Sequence, residues 1–263
     1  MNTIATNLTN LVVPDWPAPD SIFACTTTRQ LPSAQAPAPQ TPLLDAYANF
    51  NLADHVADDP ARVKENRAQL RELLVLPREP IWLSQCHSNL ALNLDDLEEN
   101  DTDARRADAS FCSRAGQVCV VLTADCLPVL LCERRGRAVA AIHAGWRGLC
   151  DGVIENTVAQ MGIDAGDLLA WLGPAIGPEQ FEVGDDVRDA FMQNDADAAT
   201  HFLARGEKYL ADLYGLARQR LTKLGLVSIS GGQFCSYRDA AQFYSYRRDG
   251  NTGRMASLIY INE

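Results

Sequence analysis

Residues 118–148, VCVVLTADCLPVLLCERRGRAVAAIHAGWRG, constrain the fold more than any other stretch, because three apolar runs follow one another with abrupt polar breaks between them. Val118–Leu122 is continuous and β-branched, the composition of a strand buried on both faces. It stops at Thr123-Ala124-Asp125-Cys126, and Pro128 restricts what precedes it. Val129–Cys132 is a second run, Glu133–Arg137 is a charged turn, and Ala138–His143 returns before breaking at Gly145-Trp146-Arg147-Gly148. The pattern predicts a strand, a bend and a hairpin. Two reactive side chains, Cys126 and His143, stand at the ends of these runs, where a scaffold can hold them at a sheet rim. Each alone reads as structural, since free cysteine is a common core residue and a lone histidine is generally just hydrogen-bonded. Together, with Asp125 and Arg147 beside them, they offer either a nucleophile with its base or metal ligands.

A hydrophobic content of 47% over 263 residues is enough for a substantial core, and a single domain over residues 1–263 is expected. The formal net charge of −11 argues against a non-specific hold on nucleic acid or anionic lipid, which needs clustered Lys and Arg. A local basic pocket for a small anion is compatible with it. No apolar run approaches the roughly 20 residues of a membrane span, and Met1–Pro14 lacks a basic start and a long apolar segment, so a cytoplasmic protein is expected. The eight cysteines are scattered, mostly within apolar runs, as reduced and buried thiols are. There is no C-x-x-C or H-E-x-x-H, nor the H-x-E with P-C-x-x-C of zinc nucleobase deaminases.

Elsewhere the periodicity predicts strands over Ser21–Thr28, Ile81–His87, Leu168–Leu172, Leu226–Ser230 and Arg254–Ile261, the last closing the sheet. Helices are expected over Pro60–Leu74, capped by Asp58 or Asp59, and over Asp151–Met161, Asp185–Gln193 and Tyr209–Leu224. Leu31–Pro42 and the acidic Leu94–Asp103 read as loops, and Gly173–Pro178 as a rigid turn. Asp108 is either an active-site support or a helix cap. Strands and helices do not alternate strictly, which favours a mixed α/β (α+β) class with a mixed or antiparallel sheet. Three tyrosines and three arginines crowd residues 234–248, a composition that can stack a base. In so acidic a chain a small nucleoside suits them better than a polymer.

The strings TADCLPVLL, AAIHAGWRGL, GPAIGPEQFEVG and FYSYRRDGNTGRMASLIYI, in this order, resemble the family once called laccase-domain or multicopper polyphenol oxidase proteins, now described as purine nucleoside phosphorylases of the YfiH type. The resemblance runs from about Ile22 to the C-terminus. It implies a layered α-β-β-α architecture and a site of His87, Cys126 and His143. Two imidazoles and a thiolate suit a catalytic Zn²⁺ with a fourth position open, and Cu²⁺ also accepts such ligands. Four histidines are too few for a multicopper oxidase. The implied activity is phosphorolysis of adenosine, inosine, guanosine and S-methyl-5'-thioadenosine, with deamination of adenosine, by a monomer or small homo-oligomer. Arg29, Asn51, Asp125, Arg147, Arg247 and Arg248 are the candidate substrate-binding residues, the arginines for phosphate and Asp125 for orienting His143 or holding the ribose. The chain departs from the family in its longer, glycine-free segment after Arg29, and in having Cys86 and Ser88 around His87, where Cys86 could compete as a ligand. A different reading is a metal-free Cys-His hydrolase or amidase acting on a peptidoglycan precursor, with Cys126 as nucleophile and His143 as base. A third is a binding protein that keeps only the pocket.

Overall fold

The structure is a computed structural model that describes residues 8–33, 46–47, 49–97 and 105–263. Its elements begin with β1 (Leu11–Val12), β2 (Ile22–Thr27), α1 (Pro60–Leu73), β3 (Ala91–Asn93), β4 (Ala109–Cys112), β5 (Cys119–Thr123), β6 (Leu127–Glu133) and β7 (Val139–Ala144). They continue with α2 (Trp146–Cys150), α3 (Val153–Met161), β8 (Leu168–Leu172), β9 (Glu182–Val183), α4 (Asp185–Asn194), β10 (Phe202–Arg205) and β11 (Lys208–Ala211). Last come α5 (Leu213–Leu224), β12 (Ser228–Gly231), α6 (Tyr246–Asp249) and β13 (Met255–Ile261).

Pairing sorts the apolar runs into two main sheets, an antiparallel one of order β1-β2-β13-β5 and a mixed one of order β12-β8-β6-β7-β4-β3. In the second, β12–β8 and β3–β4 are parallel and the other pairs antiparallel. Alternation along each strand then fixes the layers. Leu127, Val129 and Leu131 of β6 pack on α3, α4 and α5, whereas Leu130 and Cys132 face the other sheet with Val121 and Ile259. On the far side of the four-stranded sheet, Phe23, Val120 and Leu258 cluster with Leu70 of α1. Helix, sheet, sheet and helix are thus stacked in that order. Fully buried side chains such as Leu130 and Leu131 each stabilise this core by about 2–5 kcal/mol relative to alanine. The β6–β7 turn closes on Glu133, whose buried carboxylate accepts from the N–H groups of Arg135 and Arg137 and from the Arg137 guanidinium.

The expected strand, bend and hairpin are present, but β5 and β6 enter different sheets, so the bend at Asp125-Cys126 joins the two layers. α1 starts at Pro60, with Asp59 as the capping residue through its bond from the Ala61 N–H. Several expectations need correction. The last strand starts at Met255 rather than Arg254 and lies between β2 and β5. Of Ile81–His87 only Ile81 bridges a strand, and the remainder runs without a ladder. The helix expected from Asp151 starts at Val153, because residues 146–150 form their own turn, α2, and Gly152 separates the two at φ 87°. The helix expected from Tyr209 starts at Leu213, because Tyr209 and Leu210 pair with Val183 and Glu182 in a third sheet, β10-β11-β9. Leu94 is buried, and Asp95 accepts from Ser113 and Arg114, so the start of the acidic segment is built in; its residues 98–103 lie outside the described residues, as do residues 34–42 of the Pro- and Ala-rich segment. All eight cysteines are free thiols, and Cys86 alone is exposed. Among the described residues no helix is long and apolar enough to cross a membrane.

Asn51 joins these layers at the site end of the four-stranded sheet. Its amide accepts from the N–H groups of Ala53 and Arg254 and donates to Ala53 O and to Asp58 Oδ2, while its carbonyl accepts from Asn66 of α1. With its polar atoms already engaged and the residue fully buried, it acts as a brace. Asn51→Ala strands several buried donors and acceptors and should cost about 2–4 kcal/mol, read as a lower urea midpoint at an unchanged slope. A midpoint equal to the parent's would contradict this.

Candidate metal centre

Strand register builds the site. β6 and β7 pair Leu127 with Ala144 and Pro128 with His143, so the start of β6, where Cys126 lies, meets the end of β7. β4 and β7 pair Ala109 with Ile142, which sets Asp108 opposite His143 one step beyond. His143 donates its backbone N–H to Asp108 O at 2.7 Å, and its Nδ1 lies 2.8 Å from Asp108 Oδ1. His87 arrives from the segment that lacks a ladder, and two devices hold it. The Gln85 side chain pairs with both backbone groups of Leu122, at 2.9 and 2.7 Å, in place of a strand neighbour. The Asp108 carboxylate accepts from three successive backbone N–H groups, of Cys86, His87 and Ser88, at 3.1, 2.9 and 2.7 Å. His87 is held in the left-handed region, φ 59°, within this cradle. Asp108 is therefore the support rather than a helix cap.

The sulfur of Cys126 lies 3.8 Å from His87 Nε2, and the two imidazoles meet edge to face with centroids 4.9 Å apart. One donor atom from each of His87, Cys126 and His143 lies within 4.8 Å of the others. Ligand bonds of about 2.0–2.3 Å put tetrahedral donors roughly 3.4–3.6 Å apart, so sulfur and the His87 nitrogen already stand near ligating separation. With Nδ1 engaged by Asp108, His143 turns Nε2 to the cluster, the carboxylate–imidazole support common behind metal ligands. The donor set fits one metal ion. Cys86 is outside the set: its sulfur lies 3.6 Å from Asp108 Oδ2. Ser88 strengthens the turn by a second bond, Oγ to Asp108 at 2.7 Å.

Charge is arranged to match. Burial opposes ionisation of Cys126, but His143 and His87 beside it outweigh burial and lower the thiol to about 6. Burial likewise opposes the His143 cation, while the Cys126 thiolate and the Asp108 carboxylate outweigh it and raise the imidazole to about 9. Asp108 is held well below the usual carboxylate range, its burial being outweighed by bonds from His143 and Ser88. Without metal, the proton leaving the sulfur is held by the imidazole, and the pair titrates as one unit.

The other sequence candidates have varied surroundings. Asp125 accepts from Ser236 Oγ at 2.6 Å and from the Arg247 N–H at 2.7 Å; the bond to His143 Nδ1 is made by Asp108 and not by Asp125. Arg248 donates to the carbonyls of Ser236, Tyr237 and Phe243 and to Asp249, which commits its guanidinium to the loop. Arg247 reaches the carbonyls of Gln180 and Glu182. Arg29 is buried, not at the surface, donating to Ala240 O and lying over the Tyr244 ring. Arg147 is exposed and lies over Trp146. His55 is exposed and makes a 3.7 Å contact with Asp54. The sequence weighed Asp108 only as one of two options, and its spacing before an apolar strand that pairs with β7 is the signal that decides for the site.

The family model described as multi-copper polyphenol oxidoreductase laccase matches residues 25–262. The chain is 48% identical over 254 residues to a protein of Escherichia coli (strain K12) named purine nucleoside phosphorylase YfiH, covering 97% of this chain and 100% of that one. It is 46% identical over 254 residues to a purine nucleoside phosphorylase of Pseudomonas aeruginosa, covering 96% and 98%. The crystal structure of a Neisseria meningitidis protein superposes with TM-score 0.85 at 43% identity, covering 97% of this chain and all of the other. That of YlmD from Geobacillus stearothermophilus gives 0.80 at 27% identity, covering 93% of each.

Two outcomes follow from the packing and the charges. A Cβ on Gly145 would lie 2.9 Å from His87 Cδ2 and 3.0 Å from Cys126 Sγ. Gly145→Ala should thus weaken metal retention against a chelator by at least about tenfold with an unchanged melting curve; equal retention would contradict the close approach. In metal-free protein, the iodoacetamide reactivity lost in Cys126→Ala should be constant above pH 6 and fall as pH drops through about 6. A fall centred on the ordinary cysteine value would contradict the pairing.

Proposed function

The chain belongs to the family described as multi-copper polyphenol oxidoreductase laccase, and on that premise we propose that it is a zinc-dependent purine nucleoside phosphorylase. It cleaves adenosine, inosine, guanosine and S-methyl-5'-thioadenosine with inorganic phosphate, and deaminates adenosine. The observation that carries this reading is the set of two imidazoles and one thiolate drawn together behind Asp108, in a chain whose relatives are named purine nucleoside phosphorylases. Among the described residues one group of three donors comes together, which suits one ion and not the several coppers of the family's description. Copper fits the same ligands, but a single ion there supports no multicopper oxidation.

His87, Cys126 and His143 would hold the metal. A zinc ion so bound supplies Lewis acidity and water activation, the chemistry deamination needs. The chain's own groups do the rest. Asp108 keeps the His143 proton on Nδ1, so Nε2 stays free to ligate. Phosphorolysis breaks the bond from ribose to base nitrogen and forms one from ribose to phosphate oxygen, so it needs a cationic pocket for the phosphate beside the nucleoside. Asp125, fixed by Ser236 and the Arg247 N–H, would accept from a ribose hydroxyl on this reading. A negative net charge suits a small nucleoside rather than a nucleic-acid polymer.

One observation favours a second reading. A thiol lowered to about 6 beside a raised imidazole is also the resting state of a cysteine nucleophile with its base, which would make the chain a metal-free hydrolase or amidase.

Pure protein incubated with adenosine separates the two. Phosphorolysis yields adenine and ribose 1-phosphate only when phosphate is added, deamination yields inosine with or without it, and both stop on chelation and return with zinc. Absence of both products with a zinc-loaded protein would sink the phosphorylase, and covalent trapping of Cys126 in metal-free protein would then support the hydrolase.

A further inference from the structure

One arginine near the donor cluster was not singled out as a candidate in the sequence. Arg254 precedes β13, whose last pair with β5 is Met255 to Thr123, so the ladder carries Arg254 alongside Ala124, two residues before Cys126. Its backbone is fixed by the bond from its N–H to Asn51 Oδ1 at 2.9 Å. Nη1 is anchored on the carbonyls of Thr252 and Gly253 at 2.6 and 3.0 Å. The Tyr244 ring, held under Arg29, lies against Gly253 so closely that a Cβ there would be 2.6 Å from it, which fixes the loop from below.

What remains is one unengaged edge of the guanidinium. Nε and Nη2 of Arg254 bond to none of the described residues, and neither is sealed from solvent. The groups that act on its charge are Cys126, Asp125, Tyr47 and Tyr246, with His55 nearby, and none of them makes a contact ion pair with it. Asp125, the one carboxylate among them, is already engaged by Ser236 and the Arg247 N–H. Burial pushes the guanidinium down, the direction expected when a cation loses solvent without gaining a contacting anion. An incoming anion would relieve that penalty. By contrast Arg248 has Nε, Nη1 and Nη2 all engaged, Arg29 is buried and donates to Ala240 O, and Arg247 and Arg147 are exposed at the surface.

We infer that Arg254 receives an oxyanion of the phosphate class, the co-substrate of phosphorolysis, through Nε and Nη2 beside the bend that carries Cys126. The inference rests on the phosphorylase reading and names its anion site. Free phosphate and the sugar 1-phosphate it becomes share the chemistry, and the forward and reverse reactions separate them.

The test is steady-state kinetics of zinc-loaded Arg254→Gln and Arg254→Lys, varying phosphate at saturating inosine and varying ribose 1-phosphate in reverse. Loss of a charge-assisted fork should raise the KM for phosphate at least about tenfold in the Gln variant, with the KM for inosine and the zinc content unchanged, and the Lys variant in between. A rise in the reverse direction alone would assign the site to the sugar phosphate and overturn its assignment to free phosphate. A parental phosphate KM in Arg254→Gln would overturn the inference while leaving the phosphorylase standing, whereas a parent with no phosphate-dependent cleavage would remove the phosphorylase itself. If the Gln variant does not fold, phenylglyoxal labelling of parental Arg254 mapped by mass spectrometry decides: protection by inorganic phosphate supports the site, and equal labelling with and without it overturns it.

Discussion

The Asp108 carboxylate accepts hydrogen bonds from the N–H groups of Cys86, His87 and Ser88, from Ser88 Oγ and from His143 Nδ1, and the geometry of the centre depends on that one group. The residue has no solvent-accessible surface, so its charge is tolerable only while these donors surround it. The same bonds join two histidines far apart in the chain to a single anchor. The segment leading to His87 lies outside the sheet ladder, so without the carboxylate little would fix the orientation of that ring.

Register is the second condition. β4, β7 and β6 are neighbours, so Asp108, His143 and Cys126 arrive at one rim of the six-stranded sheet, on the side that alternation turns toward the other sheet. The bend at Asp125, with φ 91°, passes the chain from β5 to β6, from one layer to the other, and leaves Cys126 half-buried at the crossing. Gly145 has to stay small because both Cys126 and His87 press against it. A slip of one residue in either pairing would turn His143 to the helical face.

The apolar runs made much of this legible in the sequence. Val118–Leu122, Val129–Cys132 and Ala138–His143 read as strands because nothing polar interrupts them, and Asp59-Pro60 announces a helix start by its capping chemistry. What stayed hidden depends on partners distant in the chain. Tyr209 and Leu210 fit the helical spacing of Leu213 and Leu216, and only pairing with β9 and β10 makes them a strand. Ile81–His87 has strand composition but meets its neighbour through the Gln85 side chain. The arginines could be counted but not sorted, since whether all of a guanidinium's nitrogens are engaged, as in Arg248, or only Nη1, as in Arg254, is a property of the folded loop. The convergence of His87, Cys126 and His143 came from family resemblance, because no local spacing marks it.

The family description speaks of several coppers and the named relatives of phosphorolysis, and the donor set of this chain speaks for one ion. The identity of the ligands is therefore the point on which the functional reading turns. X-ray absorption at the zinc edge of the metal-loaded protein reports them directly. The expected first shell contains one sulfur at roughly 2.3 Å and two imidazole nitrogens at roughly 2.0 Å, with the sulfur contribution absent in Cys126→Ser; a shell without sulfur in the parent protein would contradict the centre described above.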